Sequence, residues 1–174
     1  MIYDVMLFIG AILLALLIRE YVFEPIRVKG GSMRSTLENG EMLLVTKIDY
    51  LLGEPQRQDV VICHYPGRYL DKWKVIPQYF VKRLIGLPGD TVSIEEGVVY
   101  INGEPLEEPY LDPAHTRRKG SMDPRTLAEN EYFVLGDNRD NSNDSRRIGP
   151  LRRKMIIGKV RRVFFPFRAW RKIQ

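Results

Sequence analysis

An uncharged apolar stretch, VMLFIGAILLALLI, occupies residues 5–18, and charged residues return directly after it. As a helix, this stretch would extend about 21 Å, which is short of the roughly 30 Å hydrocarbon core of a bilayer. Extended to residues 1–24, the segment has Asp4, Arg19 and Glu20 near its ends, where long side chains reach the membrane interface. A cleaved leader typically begins with basic residues and ends at a small-residue site, a pattern that this segment does not follow. The sequence therefore predicts an uncleaved N-terminal membrane anchor over residues 1–24.

Beyond this segment the chain changes to short runs of alternating apolar and polar residues, which are typical of half-buried β-strands. Glu96-Gly97 and Asn102-Gly103 separate such runs as tight hairpin turns. The runs read IRVKG, EMLLVTKI, DVVICHY, YFVKRLIGL, DTVSIEEGVVYINGEPL, EYFVLGD and GKVRRVFF. Residues 104–130 hold four prolines and few apolar runs, and we interpret them as an excursion into a smaller β lobe. The prediction is a mostly β protein with an antiparallel β domain over residues 25–174.

Composition adds a basic charge excess and a single cysteine to this picture. Lys plus Arg number 27 against 22 Asp plus Glu, which gives a formal net charge of +5. The C-terminal run RRVFFPFRAWRKIQ is interpreted as a solvated basic tail, with contact to a membrane surface as the alternative. No nucleic-acid-binding motif is recognised, so no nucleic-acid partner is predicted. Cys63 has no second cysteine to pair with, and its strand-like run predicts a buried structural residue.

Three stretches carry candidate chemistry. Ser32 follows two glycines in GGSM, Lys82 lies in YFVKRLIGLPGD, and residues 136–150 form the polar block GDNRDNSNDSRRIGP. A serine nucleophile needs a base, and the two histidines are His64 and His115. His64 lies in a strand-like run without a carboxylate motif, and His115 lies in the proline-rich excursion. A Ser-His-Asp triad is therefore disfavoured.

A buried lysine is the alternative base, because burial penalises the ammonium form and lowers the lysine pKa. Strand alternation places Phe80, Lys82 and Leu84 on one face, whereas Arg83 points to the other. Lys82 therefore has apolar neighbours on its own side of the strand. A lysine that merely extends its amine to solvent would show the same pattern, so both interpretations remain open.

The polar block also has two interpretations. Its alternating carboxylates and hydroxyls resemble a calcium loop, but the required glycine and terminal glutamate are missing at the calcium-loop spacing. A tightly hydrogen-bonded loop is the better fit. In such a loop Asp137 is available to pair with Arg139 or Arg146, and the hydroxyls of Ser142 and Ser145 are available to orient a neighbouring lysine.

The chain resembles the bacterial type I signal peptidases in the order and residue sequence of four motifs that follow one apolar N-terminal segment. These motifs are GGSMRSTL, QDVVICHYP, YFVKRLIGLPGDTV and GDNRDNSNDSRRIGP. The likeness covers nearly the whole chain, and the motifs around Lys82 and Gly136 are its most specific parts. The resemblance implies that Ser32 is the nucleophile and Lys82 its general base, the Ser-Lys variant of a serine hydrolase. It also implies that Ser142 hydrogen-bonds the lysine amine and that the Ser32 amide contributes to the oxyanion hole.

The resemblance further implies a supporting ion pair between Asp137 and Arg146, with Asp144 nearby, and a substrate bound as an added extended strand. Shallow pockets for small residues at the −1 and −3 positions would be lined by Val28, Met33, Leu37, Phe80 and Val81. Two positions depart from patterns seen in the family. Ser35 replaces a proline found in many members, and Gly30 replaces a hydroxyl residue that completes the oxyanion hole in some.

The function implied by this resemblance is that of a membrane-bound serine endopeptidase that removes signal peptides from exported precursor proteins. Its partners would be those signal peptides and membrane lipid, its catalytic domain would lie on the extracytoplasmic side of the cell membrane, and it would need neither a metal nor a cofactor. Two other functions stay open: a conjugative-transfer maturation peptidase with the same dyad, and a catalytically silent, membrane-tethered peptide-binding relative. A self-cleaving repressor would need a DNA-binding helical region, and the sequence shows none.

Overall fold

A computed structural model describes residues 2–21, 23–70, 72–73, 77–114, 116 and 120–173 of the chain. The strands are β1 (Phe23–Arg27), β2 (Met42–Thr46), β3 (Val60–Tyr69), β4 (Pro77–Gly86), β5 (Thr91–Glu95), β6 (Val98–Ile101), β7 (Glu104–Pro105), β8 (Met122–Thr126), β9 (Glu131–Leu135), β10 (Leu151–Arg152), β11 (Ile156–Phe165) and β12 (Arg171–Lys172). The α-helices are α1 (Ile2–Tyr21), α2 (Asp49–Leu52) and α3 (Ser145–Ile148), and 3-10 turns lie at Arg139–Asn141, Arg153–Met155 and Phe167–Ala169.

The N-terminal segment folds as the long helix α1, which contains the predicted apolar stretch. The helix ends at Tyr21, and β1 already begins at Phe23, slightly before the predicted end of the anchor at residue 24. Pro25 lies inside β1, where a missing amide is tolerated because β1 is an edge strand next to β2. Among the helices in the described ranges, none combines the length and the apolar character needed to cross a membrane.

The prediction of a mostly antiparallel β protein is confirmed, and the strands form two sheets. The larger sheet has the order β1-β2-β11-β3-β4-β9-β10, with β12 paired to β11, and the smaller has the order β7-β6-β5-β8. The two outer strands of the small sheet, β7 and β8, come from residues 104–130. The sequence runs did not reveal β8, because its residues MDPRT are mostly exposed and lack the alternation of a half-buried strand.

The predicted hairpin turns are confirmed by their backbone. Glu96 and Gly97 have φ angles of 47° and 79°, and Asn102 and Gly103 have φ angles of 54° and 87°. Two consecutive residues with positive φ are the requirement of a type I′ turn, whose twist matches that of the flanking strands. These turns fix the register of β5 with β6 and of β6 with β7.

The apolar core consists of three clusters, and the strand that carries Lys82 contributes to all of them. Val81 packs against a cluster beneath the Ser32 turn, Leu84 belongs to a second cluster with β3 and β9, and Ile85 belongs to a third between the two sheets. Because β4 is covered on both faces, a charged residue on it is buried whichever way it points. This arrangement accounts for the burial of Lys82 and its neighbour Arg83.

Candidate active site

Ser32 lies in a turn between β1 and β2 that a neighbouring loop holds in place. The backbone amide of Asn138 donates to the Ser32 carbonyl at 3.0 Å, and its side-chain amide donates to the Gly31 carbonyl at 2.9 Å. Gly30, with a φ of 91°, donates its own amide to Asn39 at 3.0 Å. The Gly30 amide is therefore engaged, and it is not aimed at the hydroxyl of Ser32.

Lys82 meets this turn from the middle of β4. Its Nζ lies 2.8 Å from Ser32 Oγ and 3.2 Å from Ser142 Oγ, and the residue is only 2% exposed. Burial lowers the pKa of Lys82 below the ordinary value of 10.5, and Arg146 acts in the same direction. The Cys63 thiol and the carboxylates of Asp144 and Asp137 oppose this shift without reversing it. The amine is therefore unprotonated at a lower pH than a free lysine and is placed to accept the serine proton.

Ser142 reaches the lysine from the polar block, where Asp144 organises the backbone. The Asp144 carboxylate accepts the Gly136 amide at 3.0 Å and forms two bonds of 2.8 Å with the Arg146 guanidinium. Burial alone would raise the pKa of Asp144, but the pairing with Arg146 and the other hydrogen bonds outweigh it and lower the pKa. The carboxylate consequently stays ionised beneath the lysine and remains paired with an arginine.

The predicted ion pair between Asp137 and Arg146 is wrong. Asp137 instead binds Arg83, whose Nε and Nη2 atoms lie 3.0 and 2.8 Å from the carboxylate oxygens. Both side chains are at most 1% exposed. Arg83 lies on the face of β4 opposite Lys82, and that face meets Asp137, whereas Arg146 lies in the same short turn as Asp144. The hydroxyl of Thr36 also donates to Asp137, so this carboxylate joins β4 to the serine turn.

Gly136, where the polar block begins, lies at the closest approach between the serine turn and Ser142. A Cβ atom at this position would lie 2.3 Å from Ser142 Oγ and 2.4 Å from the Ser32 carbonyl oxygen. Neither distance is compatible with a side chain. The absence of a Cβ at Gly136 is therefore what allows both hydroxyls to meet at the lysine.

A cleft of about 220 Å³ opens beside Ser32, between the end of β1 and the first half of β4. Four of the five residues predicted to form pockets line it: Val28, Met33, Phe80 and Val81. Leu37 does not; it is 1% exposed and packs in the core beneath the turn. In the described part of the chain, β9 pairs with β4 only over Arg83–Gly86, so the edge of β4 beside the cleft is open to an added strand.

The remaining candidates for chemistry do not join this group. His64 contacts the Gln78 carbonyl at 3.3 Å and the rings of Tyr69 and Tyr79, and His115 lies outside the described residues. Cys63 is fully buried, and burial raises the pKa of its thiol to about 12, which keeps it protonated and unreactive. Within the described ranges, no three metal-ligating side chains cluster together.

Comparisons with known proteins give a consistent result. The family model "Signal peptidase, peptidase S26" matches residues 2–165. The signal peptidase I of Bacillus licheniformis is 42% identical over 170 residues, covering 93% of this chain and 87% of that protein. A probable signal peptidase I-1 of Synechocystis is 39% identical over 168 residues, with coverages of 96% and 84%. A solved signal peptidase I from Enterococcus faecalis is 35% identical, with a TM-score of 0.48 over 62% of this chain and 97% of that chain.

Proposed function

Because this chain belongs to the signal peptidase family, peptidase S26, we propose that Ser32 and Lys82 are the catalytic dyad with which it works. The enzyme is a serine endopeptidase that removes signal peptides from precursor proteins. The observation that carries the proposal is the 2.8 Å approach of a buried Lys82 Nζ to Ser32 Oγ. A lysine with a lowered pKa, in contact with a hydroxyl beside a cleft, has the geometry of a general base and its nucleophile.

In the proposed mechanism, neutral Lys82 takes the Ser32 proton as the hydroxyl oxygen attacks the carbonyl carbon of the −1 residue. The resulting ammonium group gives this proton to the departing amine, and the acyl-enzyme remains. Lys82 then removes a proton from water as the water oxygen attacks the acyl carbon, and it returns this proton to the Ser32 oxygen as the acyl bond breaks. Ser142 holds the amine in line through both steps, and the Ser32 amide stabilises the oxyanion.

We propose that the substrate binds as an extended strand along the open edge of β4. In that position its −1 and −3 side chains face the cleft lined by Val28, Met33, Phe80 and Val81. A shallow apolar cleft favours small side chains, because larger ones would have to displace well-packed residues. Leu37 would support the floor of this cleft from the core and would not contact substrate.

We also propose that residues 1–24 anchor the enzyme in the cell membrane as a single pass, with the catalytic domain on the extracytoplasmic side. Apolar residues along α1 support an anchor, and the serine turn follows shortly after this helix. Exposed Phe165, Phe167 and Trp170 beside basic residues suit the headgroup region of lipid. Tethering would confine the search for membrane-bound precursors to a thin layer and raise their effective concentration.

The dyad is tested with the full chain in detergent and a fluorogenic peptide that carries alanine at −3 and −1. Ser32→Ala and Lys82→Ala should each lower kcat by about 10³-fold or more, because neither group is effective without the other. Lys82→Arg should be equally inactive, because arginine stays protonated. Ser121→Ala, on the surface of the small sheet, is the matched control and should cleave normally. Wild-type activity in Lys82→Ala would refute the dyad.

The membrane topology is tested separately in cells. The full chain should resist alkaline extraction from membranes, whereas a chain lacking residues 1–24 should be released. Protease added to spheroplasts should digest the catalytic domain if it lies outside the cytoplasm. Protection of the domain until the membrane is lysed would place it on the cytoplasmic side and contradict the proposed orientation.

A further inference from the structure

One short segment of the small lobe contacts all three parts of the chain that build the active site. This clamp segment, residues 107–110, follows β7, and none of its residues lines the cleft. Its contacts reach the serine turn, the strand that carries Lys82 and the polar block. The peptide-binding cleft, by contrast, is lined by residues between 26 and 33, residue 70 and residues 78–81.

The first contact is made by the Tyr110 ring, which covers the guanidinium group of Arg83. The ring centroid lies 3.7 Å from the Arg83 Cζ atom. This guanidinium is the buried partner of Asp137, and Arg83 directly follows the proposed catalytic lysine in β4. A desolvated cation–π contact of this kind is attractive, so the ring restrains the arginine and excludes water from it.

The second contact is an ion pair between Glu108 and Arg139 of the polar block. Both Glu108 oxygens contact the guanidinium, one of them at 3.1 Å, and both side chains are more than nine-tenths buried. The Tyr110 hydroxyl donates to the same carboxylate at 2.8 Å. Burial would lower the pKa of Arg139, but the Glu108 carboxylate raises it, so the arginine remains charged and paired.

The third contact joins the clamp segment to the serine turn. The Ser35 hydroxyl donates to the Tyr110 carbonyl at 3.3 Å. Further along the chain, the Thr116 hydroxyl donates to the Asp137 carbonyl at 3.4 Å. Residues that are far apart in sequence, Ser35, Arg83 and Arg139, thus contact one segment that does not line the cleft.

We propose that Glu108 and Tyr110 are positioning residues that hold the serine turn, β4 and the polar block in register, so that Ser32, Lys82 and Ser142 meet. This inference rests on the proposed dyad. Because the clamp segment does not line the cleft, loosening it should impair the chemical step and leave substrate binding nearly unchanged. The small lobe would thereby help to position the residues of the active site.

The test compares Tyr110→Leu, which removes the ring, with Tyr110→Phe, which keeps the ring on Arg83 and removes only the hydroxyl. Tyr100→Leu is the matched control, since Tyr100 lies on β6 of the same small sheet, opposite Pro105. Full-length proteins are assayed in detergent with the alanine-containing peptide, and Tm is measured for each. We expect Tyr110→Leu to lower kcat about 10-fold or more with KM within about twofold, and Tyr110→Phe to recover most of the loss.

The pH profile separates positioning from general destabilisation. Lys82 is faced by Cys63 from β3 and by Asp137, Asp144 and Arg146 from the polar block, and none of these is altered in the variants. Water entering a loosened site would favour the ammonium form, so the ascending limb of kcat/KM should move to higher pH in Tyr110→Leu and stay in place in Tyr100→Leu.

Two results would overturn the inference, and they can be told apart. If the wild type cleaves the peptide but Tyr110→Leu and Tyr100→Leu have the same kcat and the same pH profile, the clamp is refuted and the dyad stands. If Tyr110→Leu unfolds, the test uses instead the double variant Glu108→Gln with Arg139→Gln. Its kcat, KM and pH profile are judged by the same criteria. If the wild type itself does not cleave, the dyad and the clamp both fall.

Discussion

Replacing Gly136 with alanine tests the geometry of the active site by adding a single methyl group. Ordinary van der Waals contact begins near 3.4 Å, whereas the new Cβ would lie 2.4 Å from the Ser32 carbonyl oxygen and 2.3 Å from Ser142 Oγ. The serine turn and the Ser142 side chain would each have to retreat by about 1 Å. Ser32 Oγ and Ser142 Oγ both contact Lys82 Nζ, so the displacement falls on the atoms that are proposed to react and on the hydroxyl that orients them.

The expected loss follows from this displacement. A misplacement of about 1 Å typically costs about 10²-fold in rate, which corresponds to about 2.7 kcal/mol of transition-state stabilisation. The atoms nearest to the new Cβ belong to Ser32 and Ser142 and not to the apolar residues that line the cleft, so KM should change much less than kcat. The measurement is steady-state cleavage of the alanine-containing peptide, with Tm recorded in parallel because an overpacked core also costs about 1–3 kcal/mol of stability.

Gly86→Ala provides the matched control. A Cβ at Gly86 would lie 2.7 Å from Val92 Cγ2 and 2.8 Å from Leu127 Cδ1, so the strain is of similar size but falls in the core between the sheets. This variant should lose stability while its folded fraction keeps a nearly normal kcat. If Gly136→Ala and Gly86→Ala reduced kcat equally, or if neither reduced it, the close approach at Gly136 would not be what aligns the two hydroxyls.

Other predictions concern the amine and the turn. The wild-type kcat/KM should rise with pH along a limb below pH 10.5, because activity requires the neutral Lys82 whose pKa is lowered. Arg146→Met removes a charge that lowers this pKa and leaves Asp144 unpaired, so the limb should move to higher pH; an unmoved limb would contradict the assignment. Asn138→Ala removes one hydrogen bond to the serine turn and should lower kcat several-fold to about 10-fold in the same assay. Ser35 has a φ of 83°, which proline cannot adopt, so in urea titrations Ser35→Pro should lower the unfolding free energy.

The strands and hairpins were predictable from sequence because both follow from local rules. Period-two alternation marked β2, β4, β6 and β11, and consecutive Glu-Gly and Asn-Gly residues marked turns that require positive φ. The meeting of Ser32 with Lys82 was predictable through the family motifs, since the spacing between them carries no geometric information of its own. What alternation did indicate was that Lys82 has apolar neighbours on its side of β4.

The ion pairs were not predictable, because several arginines lie near each carboxylate in sequence and only the fold chooses among them. Asp137 pairs with an arginine 54 positions away, and Arg139 pairs with a glutamate 31 positions away in the small lobe. A local signal did exist for Arg83: an arginine flanked by Val81 and Ile85 in a strand covered on both faces requires a buried counter-ion. Leu37 was misassigned to the cleft for a similar reason, since an apolar residue in a turn can face either the core or the ligand.

The arrangement of these pairs explains why burial lowers the pKa of Lys82 even in a site rich in carboxylates. An unpaired Asp137 or Asp144 near Lys82 would stabilise the ammonium form and raise its pKa, opposing the effect of burial. Each carboxylate is instead paired with its own arginine, Arg83 or Arg146, and the positive charge of Arg146 offsets part of the effect of the carboxylates on the amine. Burial then dominates the pKa of Lys82. If Lys82 is the base, as proposed, neutralising Arg146 should impair it even where Ser32 and Lys82 remain in contact, and neutralising Arg83 should do so through the unpaired charge left on Asp137.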